Sequence, residues 1–91
     1  MAKLVITLNV MPSSTEVSLT KLEEKVKEEI TKFGGGVGKI EKELIGFGLE
    51  VVKFIFIWDE DKGSTDKLEE SIMSMEEVSS AEIRDVRRAI G

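Results

Sequence analysis

Catalysis needs a nucleophile, a general base or a set of metal ligands, and this 91-residue sequence offers few of them. It has no histidine and no cysteine, which removes the commonest general base, the commonest metal ligand, and any thiolate site or disulfide. Four groupings remain. Gly34-Gly35-Gly36-Val37-Gly38 has the composition of a phosphate cradle. Such a loop needs a helix behind it and usually a Lys-Ser or Lys-Thr at its start. Here an alternating segment follows, so the glycines read as a helix stop and linker. Asp59-Glu60-Asp61-Lys62-Gly63 resembles a calcium loop in composition only. It lacks the twelve-residue ligand spacing and the terminal bidentate glutamate, so it reads as a solvated turn, with metal binding left open. Gly46-Phe47-Gly48 sets one large aromatic between two permissive backbones, as an outward-facing contact or as a lid on the core. Arg87-Arg88 is a basic pair near the end of an otherwise acidic chain, either functional or solubilising. None of these makes a catalytic constellation. The sequence assigns no catalytic residue, metal ligand or cofactor.

The elements that must position these groups follow from periodicity. Lys3 to Met11 alternates, with Leu4, Ile6, Leu8 and Val10 on one face, and Pro12-Ser13-Ser14 ends that strand. Ser18 is a candidate N-cap, and Thr20 with Glu23 gives an overlapping capping-box signal. Leu19, Leu22, Val26, Ile30 and Phe33 then form the stripe of a helix of about four turns. Its other face carries Glu23–Lys27 and Glu28–Lys32 at i,i+4. Val37 to Leu44 is a second strand. Leu49 to Trp58 is the most apolar run in the chain and reads as a central strand. Lys53 sets its parity, because a mid-strand lysine wants water. Val52, Phe54 and Phe56 are therefore assigned to the core, with Trp58 at its margin. Leu49, Val51, Ile55 and Ile57 are assigned to an outer face unusually apolar for exposed positions. Ser64 or Thr65 caps a second helix of about three turns, with Leu68, Ile72 and Met75 as its stripe. Val78 to Val86 is the last strand, with Ala81 and Ile83 facing the core.

The order β-α-β-β-α-β predicts an α+β ferredoxin-like plait. Its four-stranded antiparallel sheet has order 4-1-3-2, with both helices on one face. The two most apolar strands then fall in the centre. Residues 1–91 are read as one domain. The net charge of −5, with 34% charged residues of both signs, points to a soluble cytoplasmic protein and away from nucleic-acid backbone binding. No apolar run reaches the roughly 18 residues of a membrane span.

In this topology Phe47 and the Arg87-Arg88 pair lie at opposite ends and opposite edges of the sheet. Eight residues at roughly 3.3 Å each separate them by about 25 Å. Groups so far apart cannot flank one small substrate but can touch one large partner twice, and the apolar outer face between them suits a protein interface. Three other classes share the plait. An RNA-recognition module stacks bases on outer-face aromatics over a basic surface, whereas here the aromatics fall on the core face. An acylphosphatase-like enzyme needs an arginine in a glycine-rich first loop, which here reads Pro-Ser-Ser-Thr. A small-ligand or protein-interaction regulatory domain is the alternative function; as a small-ligand domain it would be dimeric and bind its ligand at a strand-helix mouth.

Three motifs in order carry a resemblance over the whole chain: Val10-Met11-Pro12, Gly46-Phe47-Gly48-Leu49, and Val78-Ser79-Ser80 through Asp85-Val86-Arg87-Arg88. The sequence resembles the archaeal elongation factor 1-beta family and the C-terminal catalytic domain of its eukaryotic counterparts. The resemblance implies a cytoplasmic guanine-nucleotide exchange factor acting in translation elongation. Its partner would be the GDP-bound GTPase elongation factor 1-alpha, with no direct nucleic-acid or membrane contact and a monomeric free state. The family's partner-contacting aromatic falls on Phe47, with Gly46, Gly48, Leu49, Val51 and Ile55 as the accompanying surface. A lysine that eukaryotic members place near the partner's magnesium and phosphate loop falls on Arg88, and Arg87 beside it could share that role. The chain departs from the eukaryotic pattern in having arginine there, a planar fork in place of a compact ammonium, and in running three residues further.

Overall fold

The computed structural model describes residues 3–46 and 48–88. Strand β1 (Lys3–Pro12) is followed by helix α1 (Leu19–Lys32), strands β2 (Gly36–Gly46) and β3 (Leu49–Asp59), a 3-10 turn η1 (Glu60–Lys62), helix α2 (Asp66–Met73) and strand β4 (Val78–Arg88). The strands form one antiparallel sheet in the order β2-β3-β1-β4, which is the 4-1-3-2 order of the ferredoxin-like plait.

Parity decides which side chains meet. Ile6, Leu8 and Val10 of β1, Val52, Phe54, Phe56 and Trp58 of β3, and Ala81 of β4 are buried in one cluster with Leu22, Val26 and Ile30 of α1 and Leu68 and Ile72 of α2. Both helices thus cover the same sheet face. A fully buried side chain of this size stabilises the fold by about 1.5–3 kcal/mol, so the alternating pattern is enough to hold the register. Trp58 lies fully in this core, not at its margin. It packs edge-on against Phe56, and its indole N–H donates to the Gly63 carbonyl at 3.0 Å. That bond satisfies the one polar atom that would otherwise oppose burial.

The glycines after α1 have separate tasks. Gly34 sits at φ 93°, and Gly34 N–H and Gly35 N–H donate to the carbonyls of Thr31 and Ile30 at 2.9 and 2.8 Å. This is the left-handed helix ending that closes orphan carbonyls and favours glycine. Gly35 is buried, and a Cβ there would stand 2.8 Å from the Ile30 side chain and 3.3 Å from the Ile57 carbonyl.

Four further details differ from the sequence reading. Strand β2 runs from Gly36 to Gly46, not Val37 to Leu44, so Gly36 and Gly38 belong to the sheet and not to a linker. Helix α2 spans eight residues, little more than two turns, with Met75 packed against the core from beyond its end. Ser18 occupies the N-cap of α1 but makes no side-chain cap bond. The i,i+4 charge pairs of α1 are not formed among the described residues: Glu23 reaches Lys42 on β2 at 3.7 Å, and Lys25 pairs with Glu77 before β4. Charges on α1 therefore tie elements together. No helix among the described residues is long and apolar enough to cross a membrane.

Candidate partner-binding surfaces

The face of the sheet away from the helices carries the odd positions of β1 and β3. In the ladder, Val5 lies across from Ile57, Thr7 from Ile55 and Asn9 from Lys53. Ile55 is half-buried, Ile57 is exposed, and Val51 retains only 7% of its surface. Val51 therefore offers a partner little area, whereas Ile55, Ile57 and Val5 form an accessible apolar spine. Charges flank that spine. Lys39, Glu41 and Glu43 lie along β2; Glu82, Asp85 and Arg87 lie along β4. Lys53 interrupts the spine and is neutralised by Glu43 at 2.5 Å.

At one end of this face β2 turns into β3. Gly46 and Gly48 adopt φ 123° and 79°, values that side-chain-bearing residues rarely reach, so both glycines are required by the backbone of the turn. Gly48 and Leu49 pack near Thr15 and Val17 of the β1–α1 loop, around a cleft of about 120 Å³. That space is below the roughly 300 Å³ of a small-molecule site. Phe47 lies outside the described residues. The sequence reading missed two neighbours: Leu44 and Ile45, which are 67% and 48% exposed just before the turn. The available signal was an apolar pair that breaks the alternation of β2 immediately before a glycine.

At the other end, β4 runs two residues past Val86, so Arg87 and Arg88 belong to the sheet ladder. Arg87 stands opposite Val5 and Arg88 opposite Leu4. Because Leu4 packs on the helix-covered core, the two arginines project to opposite sides of the sheet. Arg87 Nε donates to Asp85 Oδ2 at 2.8 Å. Arg88 Nη2 donates to both carboxylate oxygens of Glu60 at 3.0 Å. Nine residue steps along β3, from Leu49 opposite Gly46 to Trp58 on the Leu4–Arg88 rung, separate the two ends by about 30 Å.

In the acidic turn, Asp59 Oδ1 accepts from Asp61 N–H at 2.9 Å, capping η1. No group of three or more acidic, histidine or cysteine side chains is placed to hold a metal ion among the described residues. The described arrangement is thus two distant corners and a partly apolar face, suited to contact with a macromolecule.

A family model described as the EF-1 guanine nucleotide exchange domain matches residues 5–89. The chain is similar to Elongation factor 1-beta of Methanothermobacter thermautotrophicus, with 38% identity over 88 residues, 97% of this chain and 98% of the relative. It is 42% identical to Elongation factor 1-beta of Pyrococcus furiosus over 82 residues, 89% of each chain. With the protein of the same name from Methanosphaera stadtmanae it shares 38% identity over 81 residues, 89% of this chain and 90% of the relative.

Proposed function

The chain belongs to the EF-1 guanine nucleotide exchange domain family, and from that membership we propose that it promotes GDP release from the translational GTPase elongation factor 1-alpha. GTP can then bind, and the GTPase is renewed for another round of elongation. Residues 1–91 act as a single exchange-factor unit, monomeric when free, in the cytoplasm, without direct contact with nucleic acid or membrane. The observation that carries this reading is the exchange-domain match over residues 5–89, which spans both corners of the sheet.

The mechanism needs no covalent chemistry. A GTPase holds GDP through backbone donors, a lysine and a Mg²⁺ ion that bridges phosphate oxygens. An exchange factor need only bind best to a form of its partner in which that cradle is disturbed. In this reading Phe47, with Gly46, Gly48 and Leu49, docks one corner on the GTPase. Ile55 and its outer-face neighbours extend the contact, with Val51 beneath. The Arg87-Arg88 end brings positive charge toward the Mg²⁺ and phosphate region. A cation there repels the ion and attracts phosphate oxygens away from their cradle. The roughly 30 Å between the corners supports a two-point grip on a large partner.

Linkage fixes a test. Whatever lowers GDP affinity in the complex makes GDP lower the affinity of the chain by the same factor. The chain should bind nucleotide-free elongation factor 1-alpha about 5–150-fold more tightly than the GDP-loaded form, measured by calorimetry or biolayer interferometry. Equal affinities would rule out exchange activity.

A further inference from the structure

Position 50 breaks the pattern that organises β3. The even positions Val52, Phe54, Phe56 and Trp58 fill the core, and by alternation Glu50 belongs to the same helix-covered side. It is half-buried there. A carboxylate on the core side of a central strand is uncommon unless it is paired. Among the described residues Glu50 forms no ion pair. The lysines of β2 and β3 are committed elsewhere: Lys39 to Glu41, Lys42 to Glu23 and Lys53 to Glu43.

Glu50 lines the cleft of about 120 Å³ beside the β2–β3 turn, and no lysine or arginine lines it. That space is smaller than a small-molecule site and close to the bulk of one side chain. The loop between β1 and α1 walls the cleft and is fixed at several points. Ser13 N–H donates to the Glu77 carbonyl at 2.8 Å, and Glu16 N–H donates to Ser14 Oγ at 3.2 Å. Val17 and Leu19 pack against the core. The cleft is therefore formed before any partner arrives. Leu44, 67% exposed, lies directly across the ladder from Glu50.

We infer that this cleft takes one lysine or arginine side chain of the GTPase, with Glu50 as its counter-ion. The inference rests on the exchange function proposed above. A basic side chain matches the site in two ways. Its aliphatic stem lies along Leu44 and Leu49, and its charged end meets the carboxylate. Gly48 and Leu49 line the cleft and also belong to the corner proposed to dock, so a partner seated there covers Glu50. Covering it removes water and strengthens the ion pair. A partner without the cation leaves a desolvated carboxylate unpaired, so Glu50 selects for partner identity.

The test titrates the full chain with nucleotide-free elongation factor 1-alpha by calorimetry, alongside thermal melts of each free variant. Glu50→Gln weakens binding by about tenfold or more, the effect of removing one partner of a covered charge pair. Its melting temperature stays at or above that of the wild type, because the free chain loses no bonded partner. Glu50→Lys, which repels the same cation, weakens binding further. Glu28→Gln, an equal charge change on the exposed side of α1, weakens it by less than about threefold. A loss in Glu50→Gln no larger than in Glu28→Gln overturns the assignment alone. So does a lowered melting temperature for Glu50→Gln, or a Glu50→Lys variant that binds no worse than Glu50→Gln. Equal affinity of the wild-type chain for nucleotide-free and GDP-loaded partner overturns the exchange function and the assignment with it.

Discussion

Lys53 Nζ lies 2.5 Å from a carboxylate oxygen of Glu43, one rung diagonal from its direct ladder partner Glu41. The lysine thus crosses from the middle of the outer face to the edge strand and carries its charge to the rim. Its hydrogen bond, and then its charge, hold the Glu43 carboxyl below the usual glutamate range. Lys25 does the same for Glu77 through a side-chain hydrogen bond. A depressed carboxylate adds stability above the ordinary glutamate pKa and loses it as pH falls through the lower, folded-state value. Glu43→Gln and Glu77→Gln should each lower the melting temperature slightly at pH 7 and leave it unchanged near pH 2. Thermal melts at both pH values check this, and equal penalties at both would contradict it.

Glu69 has the opposite sign. Partial burial of this α2 residue, and then the nearby Asp66, raise its carboxyl above the usual value. A raised carboxyl favours the fold below the ordinary glutamate pKa, and that contribution disappears as pH rises through the folded-state value. Glu69→Gln should therefore raise the melting temperature at pH 7, with the gain vanishing below about pH 4, near the ordinary glutamate pKa. A gain that persists in acid would point to packing instead.

The glycines after α1 separate two kinds of cost. Gly34→Ala must hold a side chain at φ 93° and should lose about 1 kcal/mol. Gly35→Ala keeps an accessible backbone but forces a methyl to 2.8 Å from Ile30. Overpacking of this sort costs about 1–3 kcal/mol. Chemical denaturation of the two variants measures both. A neutral Gly35→Ala would show that α1 shifts freely on the sheet.

Phe47 is proposed as an aromatic anchor on the partner. Its truncation to alanine should weaken binding to nucleotide-free elongation factor 1-alpha by about tenfold or more, the scale of a buried interface aromatic. Leu44→Ser and Ile45→Ser, beside the same turn, should weaken it less. Equilibrium binding with folded variants decides, and unchanged affinity for Phe47→Ala would remove that corner from the interface.

Much of this architecture was legible in the sequence because one residue set the parity of the central strand. Lys53 alone assigned Val52, Phe54 and Phe56 to the interior, and all three are fully buried. Pro12 closed β1 and Gly34-Gly35 closed α1 as read, but Gly36, Gly38 and Gly46 lie inside β2 and did not act as punctuation. What stayed hidden depends on long-range geometry. The partners of Glu23 and Lys25 lie on other elements, where local i,i+4 reasoning cannot see them. Arg88 and Glu60 are 28 positions apart and meet only because β3 and β4, on either side of β1, both end beside its first residues. Alternation alone sets Arg87 and Arg88 on opposite faces; which of them faces outward depends on the register shift between Thr7 and Leu8, which moves β4 by one residue against β1. No spacing rule in the sequence foretold that bulge.

The central claim is that this chain speeds GDP release from its GTPase, and stopped-flow fluorescence tests it most directly. Elongation factor 1-alpha loaded with a fluorescent GDP analogue is mixed with excess unlabelled nucleotide, with and without the chain. The account predicts that release accelerates with chain concentration and saturates, and that removal of residues 87–91 slows the maximal rate more than it weakens binding. A release rate independent of the chain at every concentration would contradict it.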